Sequence, residues 1–423
     1  MAELFVDGAW IEGEGPKLRS IDPATGARAW EGRGASDAQV DASVMAARRA
    51  FSSWHATPLR ARIEVLQRFA GLVEEQRDQL ARVISLETGK PRWEALTEVA
   101  SMLGKVGISI QAHAERTGTR EEHRKGVRSV VRHQPHGVMG VLGPYNFPCH
   151  LPNGHIVPAL LAGNTVSFKP SEHAPRCGIE TVRLWERAGL PPGTLNLVLG
   201  EKEAGLALVE HPQLDGLLFT GSAATGHWIH QRFGGRPEAI VALEMGGNNP
   251  LVVDAVEDVD AAVLIVLQSA YLTAGQRCTC ARRLFVPRGP FGRSLIDRLA
   301  EVTENLRIGR FDSEPPPFMG PVISEQAADA LLDAQARIIG LGGNPVVRMR
   351  KLEEGSGLVS AGLIDVTGIS GLPDEEHFGP LLQLHFYDRF DEALVHANAT
   401  RFGLAAGLIS EDRAKWQAFV DQI

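Results

Sequence analysis

Gly137-Val138-Met139-Gly140-Val141-Leu142 opens a series in which short apolar runs alternate with helical patterns. The spacing predicts strands at 138–142, 165–168, 195–199, 216–219 and 240–243, with helices at 151–162, 175–188, 204–209 and 225–233 between them. Such alternation implies a parallel sheet with helices on both faces. A second strand and helix series starts at Leu251-Val252-Val253 and runs through a helix over 259–272, which places a domain boundary near Gly246-Gly247. Before Gly137 the chain reads as mainly helical. Ser36 is positioned to cap a helix carrying Val40, Val44 and Phe51. A second helix after Pro58 carries Ile63, Leu66, Phe69, Leu72 and Val73 on one stripe. Residues 120–136, with Lys125-Gly126 as the turn, read as a hairpin leaving the domain body. No internal repeat or low-complexity tract is present, and Pro315-Pro316-Pro317 is a local rigid turn.

A chain of 423 residues, 44% hydrophobic and 22% charged, is long enough for two or three domains, each with its own core. The net charge of -8 is spread without long runs, so no basic patch invites nucleic acid or anionic lipid. The start of the chain, Met1-Ala2-Glu3-Leu4-Phe5-Val6, lacks the basic and apolar regions of a secretory signal. No apolar stretch is long enough for a membrane span. Four cysteines, Cys149, Cys177, Cys278 and Cys280, are too few for a disulfide framework, and a cytoplasmic location is expected.

Two further segments carry reactive groups. Leu243-Glu244-Met245-Gly246-Gly247-Asn248-Asn249-Pro250 puts Glu244 34 residues ahead of Cys278 in Gly275-Gln276-Arg277-Cys278-Thr279-Cys280. A thiolate attacks an aldehyde carbon, and the adduct gives up a hydride to leave a thioester. A nearby carboxylate then activates the water that cleaves the thioester. Cys278 as a small core residue is the plainer alternative. A Cys-x-Cys metal site is not expected, because no further Cys or His is placed to complete four ligands, so no metal is assigned. Cys280 would face away from Cys278 if the segment is extended.

Together with Gly143-Pro144-Tyr145-Asn146-Phe147-Pro148, Phe168-Lys169-Pro170-Ser171-Glu172, Phe219-Thr220-Gly221-Ser222 followed by Gly226, and Glu376-His377-Phe378-Gly379-Pro380, these segments make six motifs in order. The chain resembles the aldehyde dehydrogenase superfamily along nearly its whole length. The resemblance implies an α/β fold of two Rossmann-like parallel-sheet domains plus an oligomerisation hairpin. Residues 1–245 would form the NAD-binding domain, with the hairpin at about 117–136, and 246–423 the catalytic domain, its C-terminal part missing. Relatives usually continue past Ile423 with a segment that adds to the substrate tunnel and to dimerisation. The shortened chain is therefore expected to leave an open sheet edge, while a full-length form would be a homodimer or homotetramer. An inactive fragment or binding protein is the corresponding alternative.

The resemblance also implies roles. Cys278 is the nucleophile, Glu244 the general base, and Asn146 with the Cys278 N–H the oxyanion hole. Asn146 in a plain turn would need no such role. Lys169 and Glu172 would hold the adenine-side ribose, and Glu172 would repel a 2′-phosphate, favouring NAD over NADP. As alternatives, the pair is a surface ion pair and Gly221-Ser222 a simple strand-to-helix turn. Ser222, Gly221 and Gly226 would present N–H groups and a hydroxyl to a phosphate. Glu376 and Phe378 would grip the nicotinamide-side ribose and pack near the ring, or Glu376 would sit in an acidic turn with Asp374 and Glu375. Within the superfamily, His150-Leu151-Pro152-Asn153-Gly154-His155 and Cys278-Thr279-Cys280-Ala281-Arg282-Arg283 are similar to a bacterial branch of arginine catabolism acting on a semialdehyde with two carboxylates. That substrate calls for cationic or amide donors, for which Arg277 and His150 are candidates, with internal salt bridges as their alternative. A CoA-acylating dehydrogenase of the same fold is a further reading, opposed by the presence of Glu244.

Overall fold

The structure, a computed structural model, describes residues 3–423. It divides into two compact units. The first comprises the residues before Asp22 together with Arg28–Glu87 and Arg92–Glu244; the second comprises Asp22–Ala27, Thr88–Pro91 and Met245–Ile423.

The first unit is built on a sheet whose order is Ile240–Glu244, Gly216–Thr220, Val138–Leu142, Thr165–Lys169, Leu195–Leu197, Leu4–Val6 and Ala9–Ile11. The strands from Ile240–Glu244 to Leu195–Leu197 are parallel, and the two N-terminal strands join antiparallel at the edge. Val138–Leu142 and Thr165–Lys169 are buried throughout, as expected of strands covered on both faces. Helix Asp37–Ala56 starts at Ser36, whose hydroxyl pairs with Gln39 in a capping box. Its Ser43 hydroxyl lies 2.7 Å from Ser167 on the central strand, and its Trp54 Nε1 donates to the Leu160 carbonyl at 3.0 Å. Helix Leu59–Glu75 buries Leu66, Phe69 and Val73, with the Phe69 ring stacked on Trp185 at 3.8 Å.

The helical reading of the first third needs correction in its opening part. Leu4–Val6, Ala9–Ile11, Lys17–Ile21 and Arg28–Arg33 are strands. They are short and partly exposed, so their apolar residues carry too little periodicity to stand out. The hairpin is present as Arg120–Arg124 paired with Val127–Val131, turning through Lys125 and Gly126 at positive φ, and every residue of both strands is exposed.

The second unit carries a sheet ordered Asn344–Val347, Gly362–Asp365, Leu381–Tyr387, Ala281–Pro287, Asn249–Val253 and Gly407–Ile409, parallel except for the first strand. Helix Val259–Tyr271 packs on it through Val263, Val266 and Leu267. Segments 22–27 and 88–91 fold with this unit although they lie far upstream, with Gly357 N–H donating to the Pro23 carbonyl at 2.7 Å. Among the described residues, no helix is long and apolar enough to cross a membrane.

Candidate active site

In the first unit, the turn bearing Asn146 runs from the end of strand Val138–Leu142 into helix His150–Ala162. Asn146 is buried. The helix start is fixed by a buried carboxylate, because Glu98 Oε1 accepts from the backbone N–H groups of Cys149 at 2.9 Å and His150 at 3.1 Å. A carboxylate there satisfies otherwise orphaned N–H groups and matches the positive end of the helix. His150 is half-buried beside the Phe147 ring. One turn further on, Gly154 has no side chain to fill the space next to Lys105, whose Cε would lie 3.6 Å from a Cβ placed there. Lys105 is half-buried and has no ion-pair partner among the described residues. His155, driven to a pKa of about 4 by burial and by the charge of Lys105, bonds the Thr220 hydroxyl at 3.0 Å.

Lys169 is buried, not part of a surface pair. Its Nζ donates to the carbonyls of Pro170 at 3.0 Å and Gly200 at 2.7 Å, and stands 3.7 Å from Glu172. Burial pulls the Lys169 ammonium below its ordinary pKa, and the Glu172 carboxylate opposes this. Ser222 caps helix Ala223–Phe233, accepting from Thr225 N–H at 3.3 Å. Gly226 is buried in the first turn of that helix. Gly221 N–H donates to the carbonyl of Glu244 at 3.0 Å, which joins the turn to the end of the neighbouring strand. The Glu244 side chain is exposed.

In the second unit, Cys278 sits in a turn, not in an extended segment, and Cys280 N–H closes it on the Arg277 carbonyl at 3.1 Å. The preceding Thr273, Ala274 and Gly275 all have positive φ. For Thr273 and Ala274 that backbone is sparsely populated and persists because the surroundings enforce it. A Cβ on Gly275 would lie 2.2 Å from the Gly379 carbonyl oxygen, so only glycine permits this approach. Buried side chains hold the turn. Asn249 Nδ2 donates to the carbonyls of Cys278 at 2.7 Å and Cys280 at 2.9 Å. Gln276 Nε2 donates to the Thr273 carbonyl at 3.1 Å, while its Oε1 accepts from Ile323 N–H at 2.9 Å. Arg282 donates to the carbonyls of Gly275 and, at 2.9 Å, of Arg277. Arg277 itself turns inward, its Nε donating to Thr273 Oγ1 at 2.8 Å. Burial raises the Cys278 thiol pKa, and the negative charge of Glu376 raises it further.

The three acids of the turn at 374–376 go three ways. Asp374 accepts from Asn248 Nδ2 and Thr400 Oγ1, both at 2.8 Å, and Glu375 pairs with Arg337 at 3.6 Å. Glu376 points inward against Gly246, where a Cβ would lie 1.8 Å from its Oε2. Its Oε1 is buried without a hydrogen-bond partner among the described residues. Burial raises its pKa against the opposing charge of Arg282. An inward carboxylate whose Oε1 stands 3.7 Å from Arg282, beyond hydrogen-bond length, has acceptor capacity left that fits a ribose hydroxyl. Phe378 lies under the Arg282 guanidinium, 5.3 Å from the ring centre.

Against known families, residues 10–423 match the model of the aldehyde dehydrogenase family. The chain belongs to the aldehyde dehydrogenase family. Among curated relatives, N-succinylglutamate 5-semialdehyde dehydrogenase of Burkholderia ambifaria is 57% identical over 419 residues, covering 99% of this chain and 86% of that one. The enzyme of the same name from Burkholderia multivorans is 56% identical with the same coverage. Among solved structures, methylmalonate-semialdehyde dehydrogenase from Oceanimonas doudoroffii superposes with a TM-score of 0.94 at 27% identity, covering 100% of this chain and 88% of that one. A structure described as an Escherichia coli NADP-dependent enzyme gives 0.93 at 29% identity, covering 100% and 88%. The fold is that of an aldehyde dehydrogenase, and such enzymes use a nicotinamide dinucleotide and act on small-molecule aldehydes.

Asn146 and Glu244 belong to the first unit and Cys278 and Glu376 to the second. Sequence reasoning did not single out Arg282, Asn249, Glu98 or Lys105. The signal for Arg282 was available, since Ala281-Arg282-Arg283-Leu284-Phe285-Val286 places two arginines in an otherwise apolar strand.

Proposed function

We propose that this chain oxidises N-succinyl-L-glutamate 5-semialdehyde to N-succinyl-L-glutamate, with NAD, in arginine catabolism. The observation that carries this is the 57% identity to relatives so named, extending over 99% of the chain. In the proposed reaction the Cys278 thiolate bonds to the aldehyde carbon, and the carbonyl oxygen becomes an oxyanion that accepts from the Asn146 amide and the Cys278 N–H. The bound dinucleotide supplies the hydride acceptor. Loss of hydride from the thiohemiacetal carbon leaves a Cys278 thioester. Glu244 then takes a proton from water, whose oxygen attacks the thioester carbon, and the carbon–sulfur bond breaks to release the acid and restore the thiolate.

Residue features support the cofactor part of the reading. Glu376 offers a buried oxygen that faces Arg282 at 3.7 Å but makes no hydrogen bond among the described residues, Lys169 and Glu172 lie together after a strand, and the Ser222-capped helix begins with N–H groups that suit a phosphate. Glu172 favours NAD over NADP by repulsion of a 2′-phosphate. For a substrate with two carboxylates, Lys105, on a neighbouring helix and without an ion-pair partner among the described residues, supplies a cation beside Gly154, one turn along from His150. Arg277 is less free for that part because Thr273 engages it. A cytoplasmic homo-oligomer completes the proposal, with the exposed hairpin as its contact element.

NADH formation is to be followed with this semialdehyde and with neutral aldehydes, with NAD or NADP, and with or without CoA. Preference for the dicarboxylate semialdehyde with NAD and no need for CoA is expected. A faster reaction with neutral aldehydes would overturn the substrate, a preference for NADP the cofactor, and a requirement for CoA the hydrolytic step.

A further inference from the structure

Strand Ala281–Pro287 leaves the Cys278 turn carrying a fully buried arginine, Arg282, at 1% exposure. A buried guanidinium is costly unless its donors are used, so its partners indicate what it holds in place. Two are the carbonyls of Gly275 and Arg277, on either side of the bend that presents Cys278. The others lie on the segment Glu376-His377-Phe378-Gly379: the Gly379 carbonyl at 3.3 Å, the Glu376 carboxylate at 3.7 Å and the Phe378 ring. Gly275 and Gly379 also touch directly, backbone against backbone.

We propose that Arg282 is a positioning residue that locks the nucleophile turn and the Glu376–Gly379 segment into one rigid piece. The thiol and the cofactor-side carboxylate are then set together instead of separately. This rests on reading Cys278 as the nucleophile and Glu376 as a cofactor ligand. A planar fork is required, because one side chain must reach carbonyls on two segments while facing a carboxylate; an ammonium group cannot span them in the same plane. The arrangement also has an electrostatic consequence. Glu376 and the Cys280 thiol make Cys278 harder to ionise and the N–H groups of Cys278 and Thr279 make it easier, while Arg282, bonded to the Arg277 carbonyl next to Cys278, places a positive charge beside them. Arg282 opposes the carboxylate that makes Cys278 harder to ionise.

The test uses the full chain and no aldehyde. Alkylation of Cys278 by iodoacetamide, located by peptide mass spectrometry, is measured against pH for wild type, Arg282→Met, Arg282→Lys, Glu376→Gln and the double variant Arg282→Met with Glu376→Gln, alongside NAD titration of each. Removing the arginine leaves the carboxylate unopposed, so the midpoint moves to higher pH. Removing the carboxylate moves it to lower pH. The double variant falls between the two single variants, since the arginine's charge acts on the thiolate whether or not the carboxylate is present, and Arg282→Lys falls between wild type and Arg282→Met. NAD affinity drops in every variant, and turnover of Arg282→Met with any accepted aldehyde falls by about 100-fold, the scale expected for a small displacement of reacting groups. A folded Arg282→Met protein with an unchanged alkylation profile and unchanged NAD affinity overturns the proposal. So does movement of the two single variants in the same direction. If Arg282→Met does not fold, Glu376→Gln decides, because it retains the carbonyl contacts of the arginine; no change in profile or NAD affinity again overturns it. A mistaken substrate assignment leaves these readouts untouched, and a wild-type enzyme active without an alkylatable Cys278 would refute the thiol reading instead.

Discussion

Two turns in this molecule carry the proposed nucleophile and the proposed phosphate site, and they are held in opposite ways. The turn of Cys278 is clamped by buried side chains, Gln276 and Arg282 from its two flanks and Asn249 from a distant strand, over a left-handed backbone at Thr273 and Ala274. The turn from Gly221 to Gly226 is held by its own main chain, by the Ser222 hydroxyl and by one bond to Glu244, with Ser222 and Thr225 exposed. Formation of a covalent bond requires one atom at one place, and small displacements are expensive. Holding a phosphate requires only several N–H dipoles facing one way, which tolerates adjustment. The expected consequence is a gradient: changes at the first turn act on the chemical step, and changes at the second act mildly on affinity.

The largest effect belongs to Cys278→Ala. Turnover should vanish while NAD binding, measured by calorimetry, stays as in wild type, because in the proposed reaction the thiol makes the covalent bond and does not hold the cofactor. Retained aldehyde oxidation would break the comparison at its root. Next is Glu244→Gln. Its carbonyl is attached to the second turn through Gly221, yet its proposed work is on the thioester. A burst of NADH followed by a stalled acyl-enzyme, seen as added mass on Cys278, is expected. Slow hydride transfer with no trapped thioester would reassign Glu244 to activation of the thiol.

Asn249→Ala tests whether the clamp itself matters. The variant leaves the Cys278 and Cys280 carbonyls and the Ala405 N–H without their partner. A buried group left so, here the Cys280 carbonyl, costs about 1–3 kcal/mol, the two half-buried groups less, and denaturant titration should register a loss of that order. Well below the denaturation midpoint, kcat should fall by about 100-fold because the thiol is no longer held. Loss of stability with full kcat would show that the clamp serves folding alone.

The same contrast explains what was legible in the sequence. The strands and helices from Val138 to Tyr271 were read to within a few residues because their periodicity is local and their turns carry Gly or Pro, whereas those from Ala281 to Gln422 were not assigned. The six motifs that carry the proposed reactive groups were legible for the same reason. The clamps were not visible, because Arg282 gains its meaning from carbonyls at Gly275 and Gly379, and Glu98 from N–H groups about 50 residues away at Cys149 and His150. Nor could a linear boundary show that 22–27 and 88–91 fold with the second unit. The turn held by its own backbone was the easier of the two to read, since its cap, Ser222, is local.

The smallest effect is expected from Ser222→Ala. The substitution removes the helix cap, whose loss typically costs about 1 kcal/mol. It also removes a hydroxyl from the proposed phosphate site, but the N–H groups at the start of helix Ala223–Phe233 remain. NAD affinity should therefore weaken only about fivefold, the equivalent of roughly 1 kcal/mol, with kcat at saturating NAD unchanged and the pH profile of Cys278 alkylation superimposable on wild type. Isothermal titration and saturation kinetics on the same preparation separate these quantities. A kcat loss approaching that of Asn249→Ala would mean that the second turn also controls the chemical step, and the division of labour between side-chain clamp and backbone dipole would not hold.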